Sequence, residues 1–162
     1  MYLKGYVPPE QLRLRKIALS TVSICDGPSR LPPAMFQNLQ SLSIEWCKSD
    51  GSLFTYDVAQ CLCQLNSLHL MYCPLLERIV EASNKKTVLP KLKRLHLEEL
   101  PMLYYESATF DIVCPELEEF FVRSCPKFSA SSSDFHSRKQ VRFSWYVSVS
   151  KTLLDLSYEL MW

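Results

Sequence analysis

Two of the three histidines and the seven cysteines are the residues of this chain that most plainly could do chemistry. A pair such as His69 and His96 can hold zinc or move protons near neutral pH. Zinc, however, usually takes a third protein ligand, which Glu45 or Glu98 would have to supply. Cys61 and Cys63 form a C-x-C, but a thiolate zinc site needs a second ligand pair at suitable spacing, and the sequence offers none. The cysteine count is odd, and the spacing matches no disulfide framework. Reduced, mostly buried thiols are the expectation. No serine sits in a G-x-S-x-G elbow. Glycine occurs only at positions 5, 27 and 51, so no phosphate-cradling G-x-x-x-x-G-K-[ST] loop exists. These residues lead us to expect no catalytic group, no metal and no cofactor, and therefore not an enzyme.

The chain that must position them has 162 residues, enough for one domain. Apolar residues make up 48% and charged residues 22%, which excludes a disordered tail or a polar linker. Eighteen basic and seventeen acidic side chains give a net charge of +1. A general nucleic-acid binder carries a clear basic excess, so that role and a grip on acidic membranes are both disfavoured. The segment Met1–Pro9 has no apolar core of signal-peptide length. Nor does any stretch approach the roughly 18 apolar residues of a membrane span. The expected setting is cytoplasmic, with the nucleus also compatible.

The histidines belong to a repeat, L-x-x-L-x-L-x-x-C. Its copies are Leu39, Leu42, Ile44 and Cys47; Leu65, Leu68, Leu70 and Cys73; Leu92, Leu95, Leu97 and Leu100; and Leu117, Phe120, Val122 and Cys125. Upstream, Leu14, Ile17, Leu19 and Val22 fit the same frame. The first positions are 14, 39, 65, 92 and 117, so the steps are 25, 26, 27 and 25 residues. This is a leucine-rich repeat, whose period lies within about 20–29 residues. The central L-x-L alternates with period two, so it reads as a short strand. Such widely spaced strands pair in parallel, and the intervening segments return along the outside. Strands are about 4.8 Å apart and helices about 10 Å across, so the stack curves with its sheet on the concave side. The expected fold is α/β: a solenoid of about five repeats, with a concave parallel sheet and an irregular or short-helical outer side. Cysteines 47, 73 and 125 are read as core residues that donate weakly to turn carbonyls.

The array is expected to cover residues 1–128, with an incomplete first repeat. Residues 129–140 form a Ser-rich connector beginning Ser129-Ala-Ser-Ser-Ser133. Residues 141–162 are expected to form a capping strand and helix. Val141, Phe143, Trp145, Val147 and Val149 alternate with polar residues as a half-buried strand does. Leu153, Leu156 and Leu160 suit one face of a short helix. The strand does not fit the next repeat frame, because 25 residues beyond Leu117 is Arg142, where a leucine is due. A cap would shield the last repeat's edge, as solenoids require.

Side chains flanking the strand leucines point to the concave surface and fall into columns. One holds Lys16, Ser41, Ser67, Arg94 and Glu119. The next holds Ala18, Ser43, His69, His96 and Phe121. The third holds Ser20, Glu45, Met71, Glu98 and Arg123. His69, His96 and Phe121 should be neighbours, Arg94 should face Glu119, and Glu98 should face Arg123. Ser43, Glu45, His69, Met71, Arg94, His96, Glu98, Glu119, Phe121 and Arg123 are therefore the candidate partner-binding residues. Trp46 and Tyr72 add aromatic surface just past the strands, of a kind favoured at protein interfaces.

The segments Met71–Val80, Leu89–Leu97 and Cys114–Phe128 carry a P-x-L-x-x-L or C-P-x-L phrase, and Phe36–Ile44 carries the same core as F-x-x-L-x-x-L-x-I. In these the chain resembles the C-terminal leucine-rich-repeat region of plant nucleotide-binding, coiled-coil-type disease-resistance proteins over roughly residues 10–128. The resemblance implies a non-enzymatic recognition module of an immune receptor. Its partner would be a pathogen effector, a guarded host protein or the receptor's own nucleotide-binding domain. The nucleotide-binding switch itself is missing from this sequence, and stepping back 25 residues from Leu14 passes Met1. The chain is thus read as a piece or truncated product of a longer receptor. The alternative is the substrate-recognition repeats of an F-box ubiquitin-ligase adaptor.

Overall fold

The computed structural model describes residues 10–15, 36–47, 51–81, 85–104, 112–130 and 132–146. In chain order the strands are β1 (Gln11–Arg15), β2 (Ser41–Glu45), β3 (Gly51–Phe54), β4 (Ser67–Met71), β5 (Leu76–Val80), β6 (Thr87–Val88), β7 (Arg94–Glu98), β8 (Ile112–Val113), β9 (Glu119–Arg123) and β10 (Arg142–Tyr146). A single helical turn and a half, α1 (Tyr56–Cys61), follows β3, and a 3-10 helix spans Ser132–Phe135.

Each L-x-L segment forms a strand because its alternate residues have somewhere to go. Leu42, Ile44, Leu68, Leu70, Leu95, Leu97, Phe120 and Val122 are buried on one side, while their neighbours point to the other. The six-stranded sheet runs β1-β2-β4-β7-β9-β10, with all pairs parallel. Beneath it the motif residues Leu39, Leu65, Leu92 and Leu117 join Cys47, Cys73, Leu100 and Cys125 in one continuous core. The turn before each strand also repeats: the amides of Leu39, Leu65, Leu92 and Leu117 each donate three residues back, to Phe36, Leu62, Leu89 and Cys114. This is a leucine-rich-repeat solenoid.

Its outer side differs from a purely irregular or helical one. Two small parallel sheets, β3-β5 and β6-β8, form there. α1 is the one α-helix among the described residues, capped by Thr55 Oγ1 accepting from the Val58 amide at 3.4 Å. Narrow strands on the outside suit a gently curved stack, since they are thinner than helices.

The copies from Leu39 to Cys125 hold their frame, but the two ends do not. Leu12 and Leu14 align with Leu42 and Ile44, so Leu14 takes the third position of the motif and not the first, and the upstream frame is shifted by two motif places. Gln11, Arg13 and Arg15, in place of Lys16, Ala18 and Ser20, stand level with the concave columns. Ile17 to Val22 lie outside the described residues. Loop length costs little free energy, so a constant period is no constraint on where a strand begins. At the other end β10 does continue the repeat register: Phe143 and Trp145 align with Phe120 and Val122. Here the loop is shorter, and aromatic residues stand where leucines would. Val147, Val149 and 151–162 lie outside the described residues.

The concave-sheet strands β2, β4, β7 and β9 end in the same way. Trp46, Tyr72, Glu99 and Ser124 have φ of 60, 56, 53 and 53°, a left-handed turn that drops the next residue into the core. Their amides extend the ladder, as in Trp46 to Met71, Tyr72 to Glu98 and Glu99 to Arg123. A side chain in this conformation costs about 1–2 kcal/mol. Ser124 also buries a hydroxyl with no hydrogen-bond partner. Ser124→Gly should therefore raise the unfolding free energy by about 0.5–1 kcal/mol after the entropic cost of glycine. A urea midpoint unchanged or lower than the parent's would contradict this origin of strain.

Candidate functional site

The concave columns are now geometric. Ser43, His69, His96 and Phe121 are aligned across β2, β4, β7 and β9, and Ser144 follows on β10. The His69 and His96 ring centroids are 5.2 Å apart, and His96 lies 4.1 Å from Phe121. In the column before it, Ser41, Ser67, Arg94 and Glu119 share a register. In the column after it, Glu45, Met71, Glu98 and Arg123 do.

Exposure divides these residues. Arg94 is exposed, and Ser43, His69, Met71, His96, Glu119, Phe121 and Arg123 are half-buried. Glu45 and Glu98 are buried, each 7% exposed, contrary to the expectation that they face solvent. Their covers explain it. Arg13 Nε donates to Glu45 Oε1 at 3.0 Å. Glu98 is gripped from three sides: His96 Nε2 donates to Oε2 at 3.1 Å, Tyr72 Oη donates to Oε1 at 3.2 Å, and the Arg123 guanidinium pairs with Oε1. Burial opposes ionisation of Glu98, but the bonds from His96 and Tyr72 and the Arg123 charge prevail and hold its carboxyl below the usual range.

The Tyr72 contact with Glu98 and the pairing of Arg142 with Glu119 were not foreseen. Nor was the part of Arg13. Arg142 and Arg13 follow from the register at the two ends, which a fixed period misplaces. Tyr72 had a visible signal: its position repeats that of Trp46. The two rings stack at 4.6 Å with 13° between planes, and Trp46 is 53% exposed.

Neither imidazole is arranged as an open metal ligand. His96 Nε2 is turned to Glu98, and His69 Nε2 lies 3.0 Å from Ser67 Oγ. Among the described residues no cluster of three or more His, Cys, Asp or Glu could hold a metal ion. Burial, with the charges of His96 and Arg94 adding to it, keeps His69 below the ordinary histidine value.

That shift has a pH consequence. The unfolded chain then binds the proton of residue 69 more tightly than the folded one, so stability rises with pH through this range. The contribution is complete above about 6.5 and is lost as pH falls toward the folded value. His69→Asn should flatten the urea-midpoint profile between about pH 7.5 and 5.5. A profile as steep as the parent's would sink the assignment.

The thiols sit where the repeat needs small buried side chains. Cys73 Sγ donates to Met71 O at 3.4 Å and Cys125 Sγ to Arg123 O at 3.3 Å. A hydrogen bond with Cys47, then burial, pushes Cys73 up, and burial pushes Cys125 up to about 11 and Cys114 up to about 12. Protonated thiols of this kind are weak nucleophiles and weak metal ligands. Cys61 is half-buried and Cys63 exposed on the outer side. No helix among the described residues is long and apolar enough to cross a membrane.

Comparison with known proteins adds to this geometry. The family described as plant disease resistance protein RPS2-like, leucine-rich repeats, matches residues 9–132. A protein of Arabidopsis thaliana designated a disease resistance protein is 35% identical over 100 residues. That alignment covers 62% of this chain and 8% of the relative, so the chain spans a small fraction of that protein's length. No solved structure matches the chain.

Proposed function

The chain belongs to the leucine-rich repeats of plant disease resistance RPS2-like proteins, and from that premise we propose that it is a non-enzymatic recognition module of a plant immune receptor. The concave sheet is its contact surface. The carrying observation is the aligned row of His69, His96 and Phe121 beside Arg94, Glu119 and Arg123, presented on rigid neighbouring strands. Rigid presentation lowers the entropic cost of binding, and variable side chains on an invariant backbone set specificity.

The partner is a pathogen effector, a guarded host protein, or the nucleotide-binding domain of the same receptor, met in the cytoplasm or nucleus. A ligand that binds the released state better than the inhibited one shifts the receptor's equilibrium toward release. This chain supplies the differential contact, and the nucleotide-binding part of a longer receptor supplies the switch. The family match favours this reading over an F-box adaptor.

The test is capture of these candidate partners by the parent and by two classes of variant. His96→Glu and Phe121→Ala alter the concave row, and Glu77→Lys and Lys85→Glu alter the outer side. The concave changes should weaken capture about tenfold or more, as central contact residues do, while the outer changes leave it within about twofold. Loss with the outer variants and none with the concave ones would reverse the assignment.

A further inference from the structure

At its C-terminal strand the sheet stops with core positions still uncovered. In β2, β4, β7 and β9 both inward side chains of the L-x-L core are 3% exposed or less. In β10 the same two places hold Phe143 and Trp145, which are 43% and 38% exposed. Their rings meet edge to face at 5.9 Å with 63° between planes, and Phe143 rests on Phe120 at 5.2 Å. Among the described residues β10 is the last strand of the sheet, with no further strand paired to it. Its outer edge thus combines apolar rings with free backbone groups, a combination that proteins cover.

We propose that this end of the core is the docking site of the chain's own segment 151–162, lying as an amphipathic helix with Leu153, Leu156 and Leu160 over the Trp145 indole and the outward edge of Phe143. The segment lies outside the described residues, and its sequence and tether argue for it as the occupant.

The pattern that follows β10 fits the task. Up to Val149 the apolar residues alternate with period two, and from there Leu153, Leu156 and Leu160 are spaced by four, three and four residues, the spacing of one helix face. Lys151, Asp155 and Glu159 recur every four residues and fall on the opposite side of such a helix, so the leucine stripe faces away from charge. A helix this short is marginal in water and depends on packing. The stripe and the two exposed rings therefore stabilise each other. The reach is sufficient: residues 147–152 span up to about 20 Å when extended, whereas neighbouring strands are about 4.8 Å apart. The tether also holds the segment at roughly millimolar local concentration, which favours it over a second copy of the chain. Docking at the core end leaves Ser144 and the concave row open, because alternation points Ser144 to the other side. The inference thus stands independently of the recognition reading.

The test is nuclear magnetic resonance on the whole chain. The methyl groups of Leu153, Leu156 and Leu160 should show nuclear Overhauser contacts to the Trp145 ring and upfield ring-current shifts, both unchanged on dilution. Leu156→Glu should abolish these contacts and speed amide exchange of Arg142–Tyr146 about tenfold or more, as loss of one buried leucine allows, while Ser41–Glu45 at the far end keep their rates. Leu156→Met should keep both contacts and rates. Trp145→Ala, with an unchanged circular dichroism spectrum, should remove the methyl shifts. Leucine methyls at random-coil positions overturn the proposal, as do contacts that survive Leu156→Glu. Contacts seen only between differently labelled copies and fading on dilution overturn it too, and would assign this end to self-association.

Discussion

Replacing Phe120 by Ala is expected to remove about 3–5 kcal/mol of stability and to loosen the C-terminal end of the sheet before the rest. Phe120 is 1% exposed. It packs edge-on against Phe128 at 6.3 Å and Phe135 at 4.9 Å, and tilted against Phe143 at 5.2 Å. One ring therefore joins β9, the turn after it, the 3-10 helix and β10. Removing it opens a cavity that several separate segments would have to collapse to fill. In a solenoid each repeat is stabilised by its neighbours, so the loss propagates outward from β9. Urea denaturation measures the total. Amide exchange locates it, with Arg142–Tyr146 opening before Ser41–Glu45. Phe143→Ala, at a ring already 43% exposed, is the control and should cost about 1 kcal/mol or less. Equal costs for the two would mean that Phe120 is not the hub of this cluster.

The second large effect belongs to Glu98. Glu98→Ala leaves the Tyr72 hydroxyl, His96 and the Arg123 guanidinium without their shared acceptor. Loss of one partner from a buried charge pair costs about 3–5 kcal/mol. The Arg123 side chain is 43% exposed, however, so water screens part of that loss, and about 1–3 kcal/mol is the expected cost. Glu98→Gln keeps an acceptor of the same shape and should lose less. The pH profile separates charge from shape. Because the folded carboxyl titrates below its ordinary value, its stabilisation is full above that value and is lost as pH falls through the folded one. In Glu98→Gln that acid-side decline should be reduced. If Ala and Gln substitutions cost the same and neither changes the profile, Glu98 acts by filling space alone.

The core was legible in the sequence because the repeat is redundant. Four copies between Leu39 and Cys125 each specify the same strand, and the structure places them in one register. The alignment of His69 with His96 and of Glu98 with Arg123 followed from counting alone. The ends were less legible because they lack a neighbour to confirm the frame. Two leucine pairs compete near residue 14, and the one that obeys the period is not the one that pairs with β2. Burial of Glu45 and Glu98 was hidden for a different reason. Alternation says which way a side chain points, while its cover comes from Arg13 and Tyr72, at positions that the motif leaves unspecified. The buried cysteines illustrate the reverse case. Their pattern could have suggested redox or metal chemistry, and repeat position alone pointed to the core.

A hydroxyl-radical footprint of the chain bound to a captured protein partner tests the central claim most directly. Oxidation reports side-chain access residue by residue, and both faces carry reporters. Met71, His69, His96 and Phe121 mark the concave sheet. Leu75, Val88 and Met102, all exposed, mark surfaces off it. The concave reporters should lose most of their oxidation on binding while the other three keep theirs. Protection of Leu75, Val88 and Met102 with the concave row left open would place recognition elsewhere on the solenoid and contradict the account.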